Sequence, residues 1–129
     1  MANHVADLQP ELAVNYCKLV VVWTDDPAST RAARQKLGAA FPFLCDHERN
    51  VIVELDIVDT TDANHPRIAI PYAFVLDAER VIFKVYNGWW YVGRPTVEEL
   101  RMDLRALMSQ RQDWWYANTP APYAQAAKR

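Results

Sequence analysis

The sequence predicts an α/β domain in which helices flank a mixed β-sheet, and three observations carry that expectation. The run Leu19-Val20-Val21-Val22-Trp23 is apolar and β-branched without polar alternation, the pattern of a strand covered on both faces. Asp26-Pro27 follows at once as N-cap and first helical residue, completing a βα unit. Later, Tyr72-Ala73-Phe74-Val75-Leu76 and Val81-Ile82-Phe83-Lys84-Val85-Tyr86 are two strand-like runs separated by Asp77-Ala78-Glu79-Arg80, a spacing suited to an antiparallel hairpin. A parallel crossover half joined to a hairpin half makes the sheet mixed and places helices on its faces.

In chain order, a first amphipathic helix is expected over residues 8–16, capped by Asp7 with Pro10 in its first turn and with Leu8, Leu12 and Tyr16 four apart. The strand 19–23 comes next. The helix opened by Asp26 is expected to bury Ala28, Ala32, Ala33 and Leu37 and to stop at Gly38. Phe41-Pro42-Phe43-Leu44 reads as a short edge strand, since Pro42 cannot donate to a ladder. After Asp46, taken as an N-cap, strand and helix patterns compete across residues 51–58, with helix favoured. Residues 59–66 read as a polar loop. The hairpin ends at Asn87-Gly88, and Thr96-Val97-Glu98-Glu99 is a capping box that opens the final helix. Its apolar stripe is Val97, Leu100, Leu104, Leu107 and Met108, with Arg101, Asp103 and Arg105 on the opposite face. One folded domain over residues 1–110 is expected, then an irregular aromatic tail over 111–129.

At 129 residues, 51% hydrophobic and 23% charged, the chain suits one globular domain rather than a disordered or collagen-like protein. Fourteen basic residues against sixteen acidic ones give a net charge of -2, which leaves no broad basic field for DNA or RNA. No apolar run reaches the roughly 20 residues of a spanning helix, and the amino terminus lacks a basic segment followed by an apolar core, so a soluble cytoplasmic protein is expected. His4, His47 and His65 are dispersed, without an HxH or HExxH pattern, and no metal or other cofactor is expected. Only three glycines are present, which argues against a phosphate-binding loop, and no GxSxG is found.

Four segments in order resemble a known family: Val20-Val21-Val22-Trp23-Thr24-Asp25-Asp26-Pro27, Phe41-Pro42-Phe43-Leu44-Cys45-Asp46, Ile70-Pro71-Tyr72-Ala73-Phe74-Val75-Leu76-Asp77, and Gly93-Arg94-Pro95-Thr96-Val97-Glu98-Glu99-Leu100. They are similar to the second strand, following loop, hairpin and final helix of peroxiredoxins of the alkyl hydroperoxide reductase and thiol-specific antioxidant type. That resemblance implies a thioredoxin-like fold and an antioxidant oxidoreductase that reduces peroxides with electrons from a dithiol reductant. The family's P-x-x-x-[T/S]-x-x-C turn is not matched in full: seven and three residues before Cys17 stand Pro10 and Val14, a proline without the hydroxyl, and before Cys45 stand Gly38 and Pro42, neither of them in place. The resemblance therefore implies a chain that starts inside the helix after that turn, from a downstream start or as a shortened relative, with a sheet lacking its first, central strand. A non-catalytic thioredoxin-fold remnant or protein-binding module is the alternative.

Cys45 and Cys17 are the candidate thiols. Cys45 precedes an expected helix start, whose dipole favours a thiolate while Asp46 opposes it, and is otherwise read as a buried structural thiol. Cys17 lies at a helix-to-strand turn beside Lys18 and is read as a packing residue. No disulfide between them is expected, because they fall at opposite ends of neighbouring parallel strands. Pro71 takes the place where thioredoxin-like proteins hold a cis-proline, so a cis Ile70–Pro71 bond is expected. Arg67 and Arg94 are substrate-side candidates, with a surface loop and a pairing of Arg94 to Glu98 or Glu99 as the simpler roles. Self-association would use an exposed strand edge or Trp89, Trp90, Trp114 and Trp115.

Overall fold

The structure is a computed structural model that describes residues 2–12, 16–65, 67–88 and 93–110. Trp89, Trp90, Trp114, Trp115 and the tail over 111–129 lie outside the described residues. A π-helical stretch, His4–Leu8, runs into α1, Gln9–Leu12. Leu8 and Leu12, one turn apart, are both buried, as the four-residue spacing requires. Asp7 lies inside this stretch rather than capping it, because the helical turns begin upstream, with Asn3 already in the αR region. Tyr16 has left the helix and adopts φ 54°.

Strand β1 is Val21–Trp23, and β2 is Phe43–Cys45. They pair in parallel, Val21 opposite Phe43 and Trp23 opposite Cys45. The ladder is extended at each end by Val21 N–H donating to Pro42 O and Asp46 N–H donating to Trp23 O, at 3.0 and 2.7 Å. Between them α2, Pro27–Leu37, is capped by the Asp26 carboxylate, which accepts from the N–H groups of Ala28 and Ser29. Gly38 ends it at φ 65°, a left-handed conformation that suits glycine. The buried face of α2 differs from the expected one: Ala28 and Ala32 are exposed and Thr30 is buried. Thr30 tolerates burial because its hydroxyl donates to Asp25 O at 3.2 Å.

The main core gathers Leu8, Leu12, Val21, Ala39 and Phe41, with Cys17, Leu19, Trp23, Phe43 and three residues of the last helix packed around it. Phe43 stacks between Trp23 and Phe41, with ring centroids 5.6 and 5.8 Å apart. Val20 and Val22 are 49% and 47% exposed, so β1 is covered on one face rather than two. An apolar run signals that a strand can be buried twice, and the coverage itself depends on neighbours the run does not encode.

Helix α3, Asn50–Glu54, settles the competition over residues 51–58, but for one and a half turns only. Val58–Asp59 (β3) and Ile68–Ala69 (β4) then form a small antiparallel ladder on either side of the expected polar loop, overlapping it only at Asp59. Strands β5, Tyr72–Leu76, and β6, Ile82–Asn87, form the expected hairpin, irregular at Val75/Leu76. Helix α4 is Val97–Gln110, opened by the expected capping box: Thr96 N–H donates to Glu99 Oε2 at 2.8 Å and Glu99 N–H to Thr96 Oγ1 at 3.2 Å.

Asp103, expected on the outer face of α4, is buried. It accepts from the Tyr86 hydroxyl at 2.6 Å and from Lys84 at 3.3 Å, which ties α4 to the inner face of the hairpin. Arg101 is also drawn inward, bonding Glu11 of α1 at 2.6 and 2.9 Å and pairing with Glu98. The described strands form three separate two-stranded ladders, β1–β2, β3–β4 and β5–β6. Among the described residues no strand joins β1 to β5, and the amino-terminal segment, being helical, does not take that place.

Candidate functional site at the carboxyl ends of β1 and β2

Parallel strands deliver the segments that follow them to the same edge, the usual place for ligands in α/β proteins. Here β1 delivers Thr24 and Asp25, and β2 delivers Asp46 followed by His47, Glu48 and Arg49. Asp46 organises the corner. It is buried, and its two carboxylate oxygens accept from the N–H groups of Val51 and Ile52, both at 3.1 Å. Asp46 thus does the work of the expected cap from four residues upstream, while Arg49 occupies the position before α3 at φ 62°.

Cys45 is exposed, and its Sγ–H donates to Asp25 O at 3.0 Å. Two sequence expectations are corrected here. The thiol is not buried, because the outer side of β2 has no covering element among the described residues, and it is not at a helix amino end, because α3 begins five residues later at Asn50. Cys17 is half-buried against the core, and burial pushes its thiol pKa up. Neither cysteine is in a disulfide.

Asp25, whose carbonyl accepts from Cys45, also lines a cavity of about 530 Å³ whose polar wall is Thr24, Asp25, Glu48, Arg49, His65 and Arg67. Arg49 ties two loops together: its Nε donates to Arg67 O at 3.0 Å and its Nη1 to His47 O at 3.2 Å. His65 Nδ1 lies 3.0 Å from the Asp62 carboxylate, whose pKa is lowered by the Asn64 N–H and by His65. Arg67 sits at φ 64° immediately before β4, and its guanidinium has no partner among the described residues. The sequence reading found Arg67 and Cys45 but missed Asp25, Glu48 and Arg49. The available signal was positional, two polar segments each directly following a strand of one βα unit.

Pro71 and Arg94 meet elsewhere, around Gly88. Gly88 N–H donates to Pro71 O at 2.6 Å, and a Cβ built on Gly88 would lie 2.7 Å from that oxygen and 2.8 Å from Arg94 Cγ, so only glycine fits. The Ile70–Pro71 bond is trans, against the cis expectation: no cis bond occurs among the described residues. Arg94 is exposed, and its expected partners are taken, Glu98 by Arg101 and Glu99 by Thr96. A second, larger cavity of about 810 Å³ separates the first helix from the start of α4. There His4 Nε2 donates to Pro95 O at 3.0 Å. No group of three metal-ligating side chains forms among the described residues, and no described helix is long and apolar enough to cross a membrane.

The profile of the AhpC/TSA family matches residues 1–85, which include β1, β2, Cys45, the cavity wall and the hairpin up to Val85. The chain belongs to the AhpC/TSA family. Its mixed α/β architecture is the thioredoxin-like fold of that family, and its function is of the redoxin type. No curated protein matches the sequence. Within the AhpC/TSA match fall Cys17, Cys45, Arg67 and Pro71, whereas Arg94 and α4 lie beyond it.

Proposed function

We propose that this AhpC/TSA protein is a thiol-dependent oxidoreductase that reduces peroxides with electrons from a dithiol donor, and that Cys45 is its working thiol. The observation that carries this reading is the contrast in access: Cys45 is exposed at the end of β2, whereas Cys17 is packed against the core with its pKa raised. The Cys45 thiolate would attack one peroxide oxygen, breaking the O–O bond. The sulfur is oxidised to a sulfenic acid, and the other oxygen takes a proton and leaves as water or an alcohol. One thiol of the donor then displaces water to give a mixed disulfide, and its second thiol releases Cys45 and leaves as the donor disulfide.

Turnover should be slow. The Cys45 S–H is held as a donor to the Asp25 carbonyl, a bond that must break before the sulfur can attack, and α3 begins five residues away, so its amino end does not meet the sulfur. The test is peroxide consumption with dithiothreitol as donor: Cys45→Ser should abolish thiol-dependent turnover and Cys17→Ser should leave it intact. Equal rates for Cys45→Ser and the parent would overturn the assignment. A second reading, a non-catalytic protein-binding module, draws on the outer face of the hairpin, where Phe74, Leu76, Ile82 and Val85 are between 38% and 55% exposed. Complete absence of thiol-dependent turnover, with concentration-dependent self-association, would favour it.

A further inference from the structure

We propose that the outer face of the hairpin is the docking surface for the chain's own carboxyl-terminal segment, with Trp114, Trp115 and Tyr116 as anchors; this is independent of the reaction proposed for Cys45. Strand pairing builds the face. Tyr72, Phe74 and Leu76 alternate along β5 and so share one side of it, and the register sets Val85 opposite Phe74 and Ile82 opposite Leu76. The Tyr72 and Phe74 rings stack there, with centroids 5.8 Å apart. Phe74, Leu76, Ile82 and Val85 are exposed, and the row carries no charge that would account for a solvated face. The opposite side of the hairpin is taken. Val75 and Tyr86 are buried there, and Asp103 of α4 reaches Tyr86 and Lys84.

Helix α4 delivers the chain to this face. Arg94 stands against Gly88 just after β6, and Asp103 lies beside Tyr86 and Lys84, so α4 runs back along the hairpin towards its turn. Gln110 is about 10 Å beyond Asp103 along the helix axis, which brings it near Ile82 and the 77–80 connection. From there Trp114 follows within roughly 13 Å of extended chain, enough to cross the about 10 Å between packed layers. Residues 111–129 are outside the described residues, and their sequence supplies the matching chemistry: from 114 to 127 no residue is charged, and two indoles and a phenol stand at the near end. Area selects this segment over a second copy. Four half-exposed side chains offer on the order of 300 Å², well below the ~800 Å² per partner of a stable complex. A segment already attached to the domain meets no comparable cost of association.

The test is limited proteolysis of the full chain with chymotrypsin, which cuts after Trp and Tyr, with products timed by intact mass. A docked segment is cut only when it lifts off, so the cleavage rate at Trp114, Trp115 and Tyr116 follows the undocked population. Phe74→Asp places a charge in the middle of the face and should raise that rate about tenfold, while cuts within residues 1–110 keep their rate. Val85→Asp, across the strand pair, should do the same, so the result does not hang on one variant's folding. Met102→Asp, on the exposed side of α4, is the control and should change nothing. Protection should also survive dilution, because the contact is within one chain. Tail cleavage unchanged in both Phe74→Asp and Val85→Asp, or raised equally by Met102→Asp, would overturn the proposal. Protection that disappears on dilution would overturn it too, and would assign the face to a second copy.

Discussion

The two cysteines lie near opposite ends of the same short strand pair, and their surroundings divide the molecule into a packed side and a polar rim. Cys17 precedes β1 and leans on the Leu8, Leu12 and Phe41 cluster; Cys45 ends β2 among Asp25, Asp46 and the cavity. On the packed side apolar contacts do the holding, and a long-range charged link nearby, Arg101 to Glu11, spans α4 and α1. On the rim almost every restraint is a hydrogen bond to a carboxylate or a carbonyl. A three-residue ladder is too short to insulate its two ends by distance, so it is the chemistry of the neighbours that makes one thiol accessible and the other not.

The largest expected effect comes from cutting the rim at its buried centre. Asp46→Ala removes the acceptor for two backbone N–H groups and leaves them without a partner inside the fold. A loss of about 3 kcal/mol is expected, the scale of hydrogen bonds to a charged group together with the desolvation of the orphaned donors. Urea unfolding would measure it. A cost below about 1 kcal/mol would mean that α3 caps itself in another way.

The contrast between the thiols is itself measurable. Iodoacetamide at neutral pH should modify Cys45 at least about tenfold faster than Cys17, since burial both blocks access and raises the Cys17 pKa. As pH rises, Cys17 should begin to react only above the ordinary thiol range. Equal rates would erase the division drawn here. On the other side of the molecule, Tyr86→Phe removes the hydroxyl donor to buried Asp103 and should cost about 1–2 kcal/mol. Lys84, 3.3 Å from Asp103 and 4.7 Å from the Tyr86 ring centroid, then remains as its partner, so Cys45 reactivity should not change.

What the sequence disclosed follows the range of the interaction involved. Local signals held: Asp26-Pro27 and Gly38 bound α2, Thr96 and Glu99 form the capping box, and the hairpin pairs across Asp77 to Arg80. Features requiring a distant partner were hidden. Asp103 looked like a solvent-facing position of α4 because nothing near it in sequence announces Tyr86, 17 residues away. Val20 and Val22 looked doubly buried because an apolar run cannot state what covers it. Half the candidate site was legible as Cys45 and Arg67. The other half depends on Arg49 reaching the carbonyl of Arg67 across 18 residues, a contact with no periodicity or motif behind it.

The smallest effect, and the one that best resolves rim from packed side, is acid titration. Asp26, Asp59 and Asp62 have pKa values lowered chiefly by hydrogen bonds, from Ser29, from Thr61 and from the Asn64 N–H respectively. Glu11 and Glu99 are lowered too, by Arg101 and by the Thr96 N–H. A carboxyl whose folded pKa lies below its unfolded value contributes stability that is complete above the unfolded pKa and disappears as pH falls through the folded one. The protein should therefore be insensitive to pH above about 5 on account of these groups, and should weaken progressively below the ordinary carboxylate range of about 4. Asp26 and Glu99 are exposed and Glu11, Asp59 and Asp62 are partly exposed, so each contribution is small and screened by salt. Amide chemical shifts can follow them separately, because the reporting N–H groups are distinct: Ala28 and Ser29 for Asp26, Thr61 for Asp59, Asn64 for Asp62 and Thr96 for Glu99. Three of the five lie in the segments that flank the cavity, so acid should loosen the amides of residues 26–29 and 61–64 before those of the Leu8, Leu12 and Phe41 cluster. Simultaneous loss of all these amides in one cooperative step would show that rim and packed side melt together, and Asp26→Asn, which keeps a capping oxygen but cannot titrate, should remove only the Ala28 and Ser29 transition.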